Sequence, residues 1–226
     1  LSQKNLLSEG VDKSQITVTG NTVVDALYWV LNQIEKNKER KKKLETFLNG
    51  NLSFDWNREN FILVTAHRRE NFGKGLKQIC LALKELAFKY PKVKFIYPVH
   101  LNPNVKKPVN ESLQGVANIY LIKPLEYEPF IYLLNNCYFV LTDSGGIQEE
   151  APILGKPVLL MRDITERPEA LETGTVEVVG SNKKQIVEGV SRLLDNKKHY
   201  KNMSRKHNLY GDGLACNRIV DVLRSI

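Results

Sequence analysis

Short apolar runs and amphipathic stretches alternate along the chain after about residue 60. The runs are mostly apolar and are bounded by polar or turn-forming residues, which is typical of buried strands. They are Phe61–Thr65, Val93–Pro98, Ile119–Ile122, Phe139–Thr142, Val158–Met161 and Val176–Val179. Between most of them apolar residues recur at helical spacing, for example at Ile186, Val190 and Leu193. The pattern therefore predicts strands that alternate with helices.

Strands without a polar face must be covered on both sides, as in parallel sheets that carry helices on each face. The alternation predicts an α/β fold with a doubly wound, Rossmann-like parallel sheet. Such sheets bind ligands outside the carboxyl ends of their strands, so we expect the chemistry in the strand-end loops. We assign residues 61–226 to this domain and predict a C-terminal amphipathic helix over Cys216–Ile226.

Residues 1–60 follow a different pattern and are predicted to be a connecting segment with a helix. A short extended piece, Ile16–Thr19, precedes a helix predicted from about Thr22 to Asn37. The segment Thr46–Asn60 is mostly polar, and we interpret it as a connection.

Composition excludes few classes of protein. Hydrophobic residues make up 42% and charged residues 26% of the 226 positions, which is ordinary for a globular protein. No apolar run reaches the roughly 20 residues that cross a bilayer, and the chain starts without a secretory signal. We therefore expect a cytoplasmic protein without a membrane partner. Cys80 and Cys137 lie among apolar residues and are interpreted as small buried side chains rather than metal ligands.

The net charge of +8 indicates anionic partners without identifying them. Much of the excess lies in Lys36–Lys43, which we interpret as a solvated helix end or linker. No aromatic interleaving accompanies these lysines, so we expect no nucleic-acid partner. The four histidines lack the spacing of a metal centre, and no metal or other cofactor is expected.

The clearest chemical signal is the loop Thr142–Glu150, in which a buried strand leads into Ser144, Gly145 and Gly146 and then a helix. Glycines let a phosphate approach the backbone, and the first amides of a helix favour an anion. The loop therefore predicts a cradle for a diphosphate. Glu150 either accepts hydrogen bonds from ribose hydroxyls or, like Glu149, only complements the helix dipole.

Two further strand-end loops carry charged side chains. His67 follows Phe61–Thr65 and precedes two arginines, which suits an anionic substrate; it is a proton carrier or charge stabiliser, or else a structural cap. His100, after the next strand, is interpreted as structural or pocket-lining. Arg167 either binds a phosphate or forms a surface ion pair with Glu166 or Glu169.

Together these loops resemble the non-hydrolysing UDP-N-acetylglucosamine 2-epimerase family. The matching strings are Thr17–Asp25, Val64–Gly73, Pro98–Val105, Thr142–Pro152, Gly155–Ala170 and Gly211–Gly213. The resemblance implies the C-terminal half of a two-domain fold like that of the GT-B glycosyltransferases. It further implies conversion of UDP-GlcNAc to UDP-ManNAc by elimination and re-addition of UDP, in a homodimer when full length. The domain that carries the catalytic carboxylates is expected to lie outside this chain.

The resemblance also implies roles for single residues. His67 corresponds to the active-site histidine, and Phe130 to the aromatic residue beside the uracil. Ser144, Gly145 and Gly146 correspond to the diphosphate loop. Glu150 corresponds to the ribose-binding glutamate and Arg167 to a nucleotide-contacting arginine.

Two positions depart from the family pattern. Leu125 stands where a glutamine is common, which weakens a side-chain contact to uracil, and Leu209 replaces a proline before Tyr210.

Two other functions stay open. One alternative is a GT-B glycosyltransferase with a UDP-sugar donor. The other is a non-catalytic domain that only binds nucleotide.

Overall fold

A computed structural model describes residues 2–225. The strands of this part form one sheet: β1 (Phe61–Thr65), β2 (Lys94–Pro98), β3 (Ile119–Ile122), β4 (Phe139–Thr142), β5 (Val158–Leu160) and β6 (Val176–Val178). The helices are α1 (Ser2–Ser8), α2 (Thr22–Lys36), α3 (Lys38–Asn51), α4 (Lys74–Lys89), α5 (Pro103–Leu113), α6 (Tyr127–Asn136), α7 (Ile147–Ile153), α8 (Pro168–Glu172), α9 (Lys183–Asp195), α10 (Lys197–Met203) and α11 (Ala215–Ser225). Leu1 and Ile226, the ends of the two predicted segments, lie outside the described residues.

The sheet has the strand order β3-β2-β1-β4-β5-β6, and every neighbouring pair is parallel. The predicted doubly wound, Rossmann-like fold is therefore confirmed. The chain builds outward from β1 to β3, returns to the middle, and builds outward again from β4 to β6. The order thus reverses between β1 and β4, and a crevice opens there outside their carboxyl ends.

Strand positions follow the apolar runs closely. β1, β3 and β4 have the predicted bounds, β2 begins one residue later, and β5 and β6 end one residue earlier. Side chains alternate between the two faces of the sheet. Ile62 and Val64 join the cluster under α4, α5 and α9, whereas Phe61 and Leu63 join the cluster under α2, α6 and α7.

The segment before β1 packs on the sheet. Helix α2 buries Val24, Leu27, Val30 and Ile34 in the second cluster, so it covers one face of the sheet as α6 and α7 do. Its side-chain cap is Asn21, which accepts a hydrogen bond from the amide of Val23 at 2.9 Å. The domain boundary at residue 60 stays a prediction.

The interpretation of Thr46–Asn60 as a connection is wrong for its first part. Thr46–Asn51 is the end of α3, a polar helix in which only Leu48 is buried. Trp56, farther along, is fully buried, packs edge-on against Tyr132, and donates its indole N–H to Asn49 at 2.8 Å. A helix with one buried position lacks the apolar periodicity that reveals other helices.

The interpretations of the basic run and of two cysteines are confirmed. The lysines of the basic run are exposed, and most of them lie on α3. Cys80 and Cys137 are buried free thiols, and burial raises the pKa of each, to about 11 and about 12. Within residues 2–225, every helix is too short or too polar to cross a membrane.

Candidate functional site

The predicted site residues lie on loops that meet at the β1–β4 crevice. β1 and β4 pair in register, and the hydroxyls of Thr65 and Thr142 at their carboxyl ends share a 2.6 Å hydrogen bond. The loop with His67 follows β1 directly, and the loop with Ser144 follows β4 directly. Parallel pairing therefore brings two distant sequence motifs to one edge of the sheet.

Asp143 joins these two loops from a fully buried position. Its carboxylate accepts hydrogen bonds from the backbone amides of His67, at 2.9 and 3.1 Å, and of Arg68, at 2.8 Å. It also accepts one from the side-chain amide of Asn71 at 3.0 Å. A buried carboxylate with several donors fixes the geometry of both loops. Sequence reasoning gave Asp143 no role.

The Ser-Gly-Gly loop presents unused hydrogen-bond donors. Ser144 donates its amide to Thr142 Oγ1 at 2.9 Å, but the amides of Gly145, Gly146 and Ile147 have no acceptor among the described residues. Gly146 is exposed, and a Cβ added there would meet nothing within 4 Å. Open space above free amides at the start of a helix suits an anion.

Arg68 supplies a positive charge to the same loop. A Cβ added at Gly145 would lie 3.1 Å from Arg68 Nη2, so the guanidinium rests against this glycine. The described residues give the Arg68 side chain no ion pair, whereas Arg162 nearby is paired with Glu70 and Glu166. Sequence reasoning noticed the arginine only as a neighbour of His67; the signal was its position in a strand-end loop.

His67 lies beside this donor cluster with its side chain 37% exposed. Its ring stacks on that of His100, with centroids 5.6 Å apart, and its Nδ1 lies 3.9 Å from Asp143 Oδ1. Burial lowers the pKa of His67 below the ordinary 6.5; Asp143 opposes this shift, and His100 and Arg68 add to it. Burial therefore favours the neutral imidazole, which is able to take up a proton.

Glu149 and Glu150, both buried, have different partners. Glu149 accepts hydrogen bonds from Asn21 Nδ2 at 2.7 Å and from Arg167 Nε at 2.5 Å. Glu150 accepts one from the hydroxyl of Tyr127 at 3.0 Å. Burial raises the pKa of Glu150, although the Tyr127 hydrogen bond opposes that shift. Glu149 therefore has a structural ion-pair role, whereas the predicted ribose role of Glu150 stays a prediction.

The ion-pair partner predicted for Arg167 is wrong. Its guanidinium pairs with Glu149, eighteen positions earlier, and its hydrogen bond to Glu166 goes to the backbone carbonyl, at 3.2 Å, and not to the carboxylate. The Glu149 carboxylate raises the pKa of Arg167. Phe130, half-buried on α6, packs against the second cluster next to the loop that contains Leu125. Neither placement tests a contact with nucleotide.

No group of three or more His, Cys, Asp or Glu side chains within residues 2–225 has the arrangement of a metal site. The donors at the crevice are amides and guanidinium groups, which bind anions. The arrangement can therefore hold a diphosphate through backbone amides and Arg68, beside a neutral histidine and the Glu150 carboxylate.

Comparison with known proteins gives one consistent family. The family model for UDP-N-acetylglucosamine 2-epimerase matches residues 1–224. The chain is 53% identical to the UDP-N-acetylglucosamine 2-epimerase of Yersinia pestis, covering 99% of this chain and 58% of the relative. The enzyme of the same name from Escherichia coli (strain K12) is also 53% identical, again with 99% and 58% covered. The chain therefore spans 58% of the length of these curated relatives.

A solved structure extends the similarity to the fold. The UDP-GlcNAc 2-epimerase from Neisseria meningitidis bound to UDP-GlcNAc has a TM-score of 0.92 and is 47% identical, covering 100% of this chain and 59% of that protein. The similarity therefore includes strand order and loop placement as well as sequence.

Proposed function

This chain belongs to the UDP-N-acetylglucosamine 2-epimerase family, and we propose that it forms the UDP-binding half of such an enzyme. One observation carries the proposal: the free amides of Gly145, Gly146 and Ile147 and the unpaired guanidinium of Arg68 converge on the β1–β4 crevice. These donors fit the diphosphate of a nucleotide sugar. Ser144 adds a hydroxyl to the same loop.

The proposed reaction inverts C2 of UDP-GlcNAc. A base removes the C2 proton while the C1–oxygen bond breaks, the bonding electrons leave with UDP, and a glycal forms. UDP then adds back to C1, and a proton is delivered to the opposite face of C2. The base belongs to the part of the family protein that this chain does not include.

In this scheme the chain stabilises the leaving group. Negative charge grows on the diphosphate as the C1–oxygen bond breaks, and preorganised donors aimed at that position lower the barrier. Asp143 holds the backbone of His67 and Arg68 in place before substrate binds. We assign the neutral imidazole of His67 to proton uptake or charge stabilisation beside the diphosphate.

The remaining predicted residues bind the nucleoside in this scheme. Glu150 accepts hydrogen bonds from the ribose, Phe130 contacts the uracil, and Arg167 contacts the nucleotide while Glu149 orients its guanidinium. We also propose that the full-length protein is a cytoplasmic homodimer, supported by the family resemblance alone. Light scattering of the full-length protein tests the dimer.

Calorimetric titration of the 226-residue chain with UDP tests the site. We expect weak binding, with Ser144→Ala and Glu150→Ala each lowering the affinity about tenfold, because each removes a hydrogen bond to a charged group. Ser191→Ala and Glu188→Ala on the remote helix α9 are matched controls and should leave affinity unchanged. Equal affinity of the wild type and both site variants would refute the assignment.

A coupled assay on the full-length protein separates epimerisation from sugar transfer. We expect UDP-ManNAc from UDP-GlcNAc without any acceptor, and no turnover by the 226-residue chain alone. UDP release only in the presence of an acceptor sugar would favour the glycosyltransferase alternative.

A further inference from the structure

The carboxylates of Glu149 and Glu150 differ in how many of their oxygens are occupied. Both oxygens of Glu149 accept a hydrogen bond, Oε1 from Arg167 and Oε2 from Asn21. Only Oε1 of Glu150 does, from the hydroxyl of Tyr127. Among the described residues, none donates a hydrogen bond to Oε2 of Glu150. This oxygen therefore stays available to a ligand hydroxyl, in a side chain whose orientation is already fixed.

Tyr127 connects two elements of the proposed nucleoside site. It is the first residue of α6, three positions before Phe130, and its hydroxyl reaches across to Glu150 on α7. The side chain is not needed to fill the core, because the residue is 41% exposed. Its contact with Glu150 thus links the segment assigned to uracil with the carboxylate assigned to ribose.

The hydrogen bond also acts on the charge of Glu150. Burial and the neighbouring carboxylate of Glu149 both raise the pKa of Glu150, and the hydrogen bond from Tyr127 lowers it. An ionised carboxylate is acceptor-only and can receive two ribose hydroxyls on its free oxygen, whereas a protonated one loses part of that capacity. Tyr127 therefore favours the form of Glu150 that suits a ribose.

We propose that Tyr127 is a positioning residue that fixes the Glu150 carboxylate for the ribose hydroxyls and so sets the preference for an intact ribose. This inference rests on the proposed function, since it assumes that a uridine nucleotide occupies the crevice. The inference adds Tyr127 to the proposed site as a residue that acts through its contact with Glu150.

The test compares UDP with 2′,3′-dideoxy-UDP by calorimetric titration of the wild type and Tyr127→Phe. We expect the variant to bind UDP about tenfold more weakly and dideoxy-UDP within about twofold of the wild type, because only the ribose uses the carboxylate. Tyr132→Phe is the matched control: Tyr132 also lies on α6 and donates to a carboxylate, Glu45, at 3.0 Å. It should change neither affinity.

The dependence of UDP affinity on pH gives a second measurement, which a general packing defect would not change. Without the Tyr127 hydrogen bond the pKa of Glu150 rises further, so the loss of UDP affinity on acidification should begin at a higher pH in Tyr127→Phe. An equal loss for both ligands, or no loss, would overturn the inference. If Glu150→Ala abolishes ribose preference while Tyr127→Phe keeps it, only this inference fails; if the wild type does not bind UDP, the proposed function fails first.

Discussion

At each end of the sheet a buried polar side chain holds loops together by hydrogen bonds, but the two side chains serve different purposes. At the amino end, Asn118 lies directly before β3, is buried, and donates its side-chain amide to the carbonyls of Ala87, Tyr90 and Val93 at 2.8–3.2 Å. At the carboxyl end, buried Asp143 accepts from two backbone amides and one side chain. Each side chain ties loops together that are distant in sequence.

The two ends of the sheet differ in the groups that lie next to this buried side chain. The Asn118 side-chain amide finds its acceptors within the fold, in three backbone carbonyls, and so stabilises it. Next to Asp143, the amides of Gly145 and Gly146 and the guanidinium of Arg68 have no acceptor among residues 2–225. These free donors lie at the end of the sheet where we propose that the diphosphate binds.

Replacing Asp143 or Asn118 by alanine should give the largest difference between the two ends of the sheet. Asp143→Ala leaves the amides of His67 and Arg68 without their acceptor and should destabilise the chain by about 3 kcal/mol and abolish UDP binding. Asn118→Ala, the matched control, should cost about 1–2 kcal/mol and leave UDP affinity unchanged. Urea unfolding and calorimetry measure both effects. Wild-type affinity in folded Asp143→Ala would contradict the comparison.

A single methyl group tests whether the open space at the carboxyl end is kept for a ligand. Gly146 has helical backbone angles (φ −64°, ψ −38°), so Gly146→Ala should not lower the free energy of unfolding. UDP affinity should fall about tenfold, because the methyl group occupies the space proposed for the diphosphate. Gly50→Ala, in α3 and also without neighbours within 4 Å, is the control. Unchanged affinity in Gly146→Ala would place the ligand elsewhere.

The smallest expected effect is a proton taken up on binding. In the free chain the pKa of His67 lies below 6.5, and a bound diphosphate raises it by favouring the imidazolium. The complex then binds more protons than the free chain between these two pKa values, so affinity for UDP-GlcNAc should rise as pH falls through that window. Calorimetry in buffers of different ionisation enthalpy measures the uptake. Uptake that persists in His67→Asn would assign it to another group.

Local sequence patterns predicted the fold because each strand lies within a short, mostly apolar run. The runs of β1, β3 and β4 needed no correction. Patterns failed for α3, in which only Leu48 is buried, and the apolar Leu81 of α4 is 40% exposed. Periodicity reveals a helix only where that helix covers a core.

The parts of the site that a local sequence motif identifies could be predicted from the sequence. Ser-Gly-Gly after a strand indicated an anion cradle, and the amides of Gly145 and Gly146 have no acceptor among the described residues. The partners of these motifs were not predictable, because they come from other elements. Arg167 pairs with Glu149 rather than with its sequence neighbours, and Tyr127 reaches Glu150 from another helix. Such pairs are set by the sheet order.

The position of β4 beside β1 bears on how the chain acquires its site during synthesis. The Asp143 carboxylate and the His67 amide that it holds are 76 residues apart, with β2 and β3 between them. A nascent chain that has left the ribosome only as far as Ile122 can pair β1 with β2 and β2 with β3, but the other edge of β1 is still open. Until β4 closes that edge, the central strand is exposed to pairing with other chains, and a chaperone that covers it would protect the binding site as well as the fold.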